Sequence, residues 1–136
     1  MTNIYVHQDL KDMNLYPCAY SMTFNVSGNT LNAVLNQRSQ DMLAANNWNV
    51  VQYSALLIMM AKTAGLVPGE LVHVIADAHI YDRHIPIIEK IISNEPYDAP
   101  ILHVADKMDF YEFTRDDFTL ENYKYHELDV KIPVAI

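Results

Sequence analysis

The chain has 136 residues, 51% of them hydrophobic, and sets nine Lys and Arg against 17 Asp and Glu for a formal charge of −8. That length is enough for one folded domain, and residues 1–136 are expected to form a single one. The acidic balance and the singly scattered lysines argue against DNA or RNA as a partner, so any anion bound here is expected to be small.

Cys18 is the only cysteine and cannot form an internal disulfide. No charged segment followed by an apolar one opens the chain, so a reducing, cytoplasmic setting is expected. The longest apolar stretch in the middle of the chain, Ala55 to Ala61, is far shorter than the roughly 20 residues that span a bilayer. No membrane association is expected.

After a polar start, Pro17 disfavours helix at the residue before it. Tyr20, Met22, Phe24 and Val26 then alternate with Ser21, Thr23 and Asn25, and Leu31, Ala33 and Leu35 alternate with Asn32, Val34 and Asn36. With Ser27-Gly28-Asn29 between them, these runs predict a β-hairpin in which Gly28 takes a positive φ. From Asn49 to Ala64 no breaker interrupts a run that is apolar around most of its circumference. It predicts a helix buried on nearly all sides, with Asn49 as N-cap and Gly65 as C-cap.

Pro68-Gly69 predicts a turn into a strand from Glu70 to Ala76 covered on both faces. A second helix is expected from about Asp82 to Ser93, with Pro86 in its first turn. Short strands are expected at Ile101 to Val104 and Phe118 to Tyr123, and the apolar residues from Val130 to Ile136 predict a docked tail. The sum is an α+β fold in which a mostly antiparallel sheet packs on a buried central helix.

Several positions carry chemistry. Cys18 follows Pro17 at the start of one hairpin strand, and Arg38 ends the other. A guanidinium beside a sulfur favours the thiolate, although a lone cysteine also serves as a small buried hydrophobe. Arg38, Ser39 and Asp41 place a cation, a hydroxyl and a carboxylate where the strand gives out, either to hold an anion or as a solvated strand end. Asn49 offers a donor and an acceptor side by side, or simply a cap. His79 and Tyr81 present polar tips on apolar bodies, suited to a sugar hydroxyl or to a satisfied core. His79 and His84 lie five apart with no second cysteine, so no metal site is expected. A glycine-rich phosphate loop and a Gly-x-Ser-x-Gly elbow are both lacking.

In order, Pro17-Cys18, Gln37-Arg38-Ser39-x-Asp41, Asn49, Asp77-x-His79-x-Tyr81 and Pro133-Val134-Ala135-Ile136 resemble thymidylate synthase. The likeness runs from about Leu15 to the last residue and includes Gly65-Leu66-x-Pro68-Gly69 and Asp116-Asp117-Phe118. It implies reductive methylation of dUMP to dTMP, with 5,10-methylenetetrahydrofolate as co-substrate and no metal. By this resemblance Cys18 is the nucleophile toward C6 of the pyrimidine, and Arg38 and Ser39 are phosphate ligands. Asp41 lies near both pyrimidine and folate, Asn49 reads the uracil edge, and His79 and Tyr81 bond the deoxyribose 3′-hydroxyl. Asn49 favours uracil over cytosine, because deoxycytidylate hydroxymethylases carry aspartate at that place. Ala135 belongs to a segment that closes over the folate.

This sequence departs from the family at Ala19, where many members have histidine, and at Ala44-Ala45-Asn46-Asn47-Trp48, where Leu-Gly-x-Pro-Phe is common. Family chains are about twice as long. The resemblance therefore places a phosphate-loop arginine, two arginines lent across a homodimer, and a glutamate and a tryptophan in an N-terminal half outside this chain. Each missing charge-assisted contact costs about 1.5 to 3 kcal/mol, so weak nucleotide binding by the chain alone is expected. The contrasting expectation is a noncatalytic nucleotide-binding or dimerisation module built on the same fold.

Overall fold

The computed structural model describes residues 1–133. In chain order its elements are β1 (Thr2–Asn3), β2 (Ala19–Ser27), β3 (Thr30–Gln37), β4 (Gln40–Asp41), α1 (Asn46–Thr63), β5 (Val67–Ile75), β6 (Ala78–His79), α2 (Ile85–Ile92), β7 (Ile101–Val104) and β8 (Phe118–Glu121). Four strands form one sheet in the order β1-β2-β3-β5, and β4-β6 and β7-β8 form two-stranded pairs.

The hairpin forms as its alternation dictates. Gly28 turns the chain at φ 61°, and Ser27 pairs with Thr30. Met22, Leu31 and Ala33 face inward against Leu57 and Ala61 of α1, with Phe24, Tyr53, Leu56, Leu66 and Leu71 closing the core around them. The sheet is antiparallel from β1 through β3, while β5 runs parallel to β3 after the α1 crossover. A helical crossover is what a parallel neighbour requires.

Three expectations are corrected. Pro68-Gly69 lies inside β5 instead of before it, at a register shift between Leu31 and Ala33 on the neighbouring strand. Asn32 sends its side-chain oxygen to the Glu70 amide at 2.9 Å, and a Cβ on Gly69 would collide with that side chain. The dipeptide thus marks an irregular strand pairing. β5 is covered on one side only: Leu71, His73 and Ile75 are half-buried, and Val72 and Val74 are exposed. Helix α1 is also covered on one side only, since Leu57 and Ala61 are its buried residues and Val50, Val51 and Met60 face outward. An all-round apolar helix needs cover on every side, and among the described residues the sheet supplies one.

The helix boundaries follow from capping. Gly65, at φ 67°, ends α1 by letting the Leu66 amide reach back 2.8 Å to the Ala61 carbonyl. Pro86 sits in the first turn of α2, where its missing N–H leaves no intrahelical bond unmade. The last three residues, 134–136, which include the expected site residue Ala135, lie outside the described residues.

Candidate functional site

Parallel strands β3 and β5 end at one edge of the sheet, Gln37 opposite Ile75, and β2 begins at that same edge. Tyr20 is the extra residue where the β2-β3 register shifts, which leaves Ala19 opposite Gln37 and brings Cys18 beside Arg38. The Arg38 amide donates to the Cys18 carbonyl at 2.9 Å. Beyond the edge, β4 and β6 pair Asp41 with His79. A cleft of about 370 Å³ results, lined by Leu15, Cys18, Arg38, Asp41, Asn49, His79 and Tyr81 with Gln37, Ser39 and Ala45 between them. Every expected site residue that the structure describes faces this one cleft.

The Arg38 guanidinium is held from below. Its Nε donates to the Pro17 carbonyl at 3.1 Å and its Nη2 to the Tyr16 carbonyl at 2.6 Å, which sets Nη2 3.7 Å from the Cys18 sulfur. These contacts use Nε and Nη2 and leave Nη1 for an anion.

Asp41 shapes the turn that follows it. Its Oδ1 accepts from the amides of Leu43 and Ala44 at 2.9 and 3.0 Å, and the Ala45 amide returns to the Asp41 carbonyl. That turn starts α1 at Asn46, with Ala45 in the capping position and no side-chain cap. Asn49 is therefore not the N-cap. It stands one turn into the helix, where its amide bonds the Ala45 carbonyl and its side chain is free to face the cleft.

Two residues without an assigned role prove central. Gln37 and Gln40 are 2% and 1% exposed. The Gln37 amide nitrogen donates to the Ser39 carbonyl at 2.8 Å, to Asn49 Oδ1 at 3.2 Å and to the Gln40 side chain. Its oxygen meets His73 Nε2 at 2.9 Å, so His73 donates there. Burial pushes His73 below the ordinary imidazole value. A sequence signal existed: Gln37 continues the inward parity of Leu31, Ala33 and Leu35, and an amide at a core position demands partners.

His79 and Tyr81 do share the cleft, their rings edge-on with centroids 5.1 Å apart, and an Asp77 carboxylate oxygen lies 3.2 Å from His79 Nδ1. A second cleft, of about 450 Å³, adjoins the first across Asp41 and Tyr81. Its other walls are Leu43, Ala44, Trp48, His84, Ile132 and Pro133. Among the described residues, no group of three or more His, Cys, Asp or Glu side chains is arranged to hold a metal ion. Among the described residues, no helix is long and apolar enough to cross a membrane.

Comparisons with known proteins identify the family. The thymidylate synthase family model matches residues 1–136. The thymidylate synthase of Clostridium beijerinckii is 36% identical over the whole of this chain and 52% of its own length. The bifunctional dihydrofolate reductase-thymidylate synthase of Paramecium tetraurelia is 35% identical over 93% of this chain and 28% of its own. Among solved structures, thermostable thymidylate synthase A from Bacillus subtilis superposes with a TM-score of 0.91 at 37% identity, covering 99% of this chain and 49% of that one. The chain spans about half the length of the single-function relatives, and it belongs to the thymidylate synthase family.

Proposed function

We propose that the chain supplies the nucleophile-bearing half of a site that methylates dUMP to dTMP with 5,10-methylenetetrahydrofolate, in the cytoplasm. The observation that carries this reading is the Arg38 guanidinium 3.7 Å from the Cys18 sulfur in a cleft that also holds Asp41, Asn49, His79 and Tyr81.

Uracil C5 is not nucleophilic by itself. Addition of the Cys18 thiolate to C6 forms the S–C6 bond and moves the C5=C6 electron pair toward the C4 carbonyl, creating an enolate that reacts at C5. Arg38 and Ser39 hold the phosphate, and Asn49 donates to O4 and accepts from N3. His79 and Tyr81 hold the 3′-hydroxyl. Once C5 has bonded the folate's one-carbon unit and passed its proton to a base, that carbon's bond to the folate nitrogen breaks, and hydride delivered to the same carbon re-forms C5=C6 as Cys18 leaves. The folate supplies the carbon and the hydride and leaves as dihydrofolate.

The second cleft fits that co-substrate in kind. Asp41 Oδ2 accepts N–H donors, and the Trp48 ring offers a stacking face beside the apolar Leu43 and Ile132. Ala135, outside the described residues, closes over the folate by the family resemblance.

Partners are implied as well. Val34, Val72 and Val74 are exposed on the outer face of the sheet, Val34 directly opposite Val72, and form an apolar patch suited to a homodimer. The N-terminal half of the family, on a second chain, is the other candidate cover. Light scattering is expected to show an oligomer, and a monomer at high concentration counts against it. The activity test follows dihydrofolate formation with dUMP and methylenetetrahydrofolate, using this chain alone and mixed with the N-terminal half of a relative. Turnover in either mixture supports the reading. Its absence in both favours a noncatalytic module.

A further inference from the structure

We infer that His84 is a positioning residue that fastens the segment ending at Pro133 to the wall of the second cleft that carries Asp41. This deepens the proposed function, because it rests on reading that cleft as the co-substrate side. His84 is 1% exposed. It closes a short 3-10 turn, Asp82–His84, whose last amide returns 2.8 Å to the Tyr81 carbonyl, and its ring meets the Tyr81 ring edge-on at a centroid distance of 5.6 Å.

His84 Nε2 stands 2.9 Å from the carbonyl of Pro133, 49 residues further along the chain. A carbonyl only accepts, so Nε2 carries the hydrogen. Nδ1 is buried without a hydrogen-bond partner, and Asp41 Oδ2 lies 3.9 Å from it. One ring therefore touches the tail on one side and faces, on the other, the carboxylate shared by both clefts. Proline has no N–H and cannot secure itself by donating, so its carbonyl is the group the ring can hold. Ile132 and Pro133, which line the cleft together with Trp48, are kept there by this contact.

The test is NMR on the full chain without ligand. In the wild type, imidazole nitrogen shifts should show hydrogen on His84 Nε2, and the Lys131 and Ile132 amides should have order parameters near the rigid value of about 0.85. His84→Ala should drop those two amides below about 0.6 while the shifts of Leu35 and Ala33 stay in place. His84→Gln, whose amide nitrogen can still donate to Pro133, should restore them. A wild-type ring with hydrogen on Nδ1 alone, or unchanged tail order in His84→Ala, would overturn the fastening role. Because no nucleotide or folate is present, absence of turnover both alone and with the N-terminal half of a relative would sink the functional reading and leave this result standing.

Discussion

On its hairpin side the cleft rests on Gln37 and Gln40, both almost fully buried and joined by hydrogen bonds to Ser39, Asn49 and His73. On its tail side the wall is Trp48, 80% exposed, with Ile132 and the exposed Ala44. The first wall holds Asn49 in place before any ligand arrives, and the Tyr16 and Pro17 carbonyls do the same for Arg38. The second leaves most of its ordering to be done when a ligand or a partner covers it, and that ordering is subtracted from affinity. On the proposed reading, the prebuilt half of the site is the nucleotide side.

Gln37→Leu breaks the contrast most severely. It leaves the Asn49 and Gln40 side-chain oxygens without their donor and His73 Nε2 without its acceptor. Unfolding by denaturant should show a loss of about 1 to 3 kcal/mol, and calorimetry should show weaker dUMP binding.

Trp48→Ala sharpens the contrast. An exposed side chain outside the core should change stability by less than about 0.5 kcal/mol, yet folate binding should weaken because a stacking face is gone. A destabilisation as large as that of Gln37→Leu would erase the distinction between the walls.

The smallest effect lies away from the cleft. The Thr114 amide and hydroxyl and the Lys107 ammonium hold the Asp117 carboxyl below its usual range, against a push upward from desolvation. A depressed folded value stabilises the fold above the unfolded carboxylate range, and the gain is lost as pH falls through the folded value. Acid melts should therefore show wild type losing its advantage over Asp117→Asn below about pH 4.

The hairpin, both helices and the short strands were legible because alternation, helical periodicity and the positions of Gly28, Gly65 and Pro86 are local properties. What escaped was set by distant partners. Pro68-Gly69 reads as a turn until Asn32, on another strand, is seen to fill the space beside Gly69. Asn49 reads as a cap until Asp41 is seen to fold the turn that starts α1 earlier. Of the cleft, the ligand-facing residues were legible through the family pattern, whereas Gln40, His73 and His84 act through contacts that no spacing reveals. The exposed faces of α1 and β5 belong with these, since apolar sequence records that cover is needed and not what supplies it.

The central claim is that Cys18 stands ready to attack a pyrimidine. The most direct measurement is intact mass spectrometry of the chain incubated with 5-fluorodeoxyuridylate and methylenetetrahydrofolate, with the N-terminal half of a relative supplied in a parallel sample. The account predicts a covalent adduct on Cys18 that is absent from Cys18→Ser. An unmodified wild-type mass in both samples would contradict it.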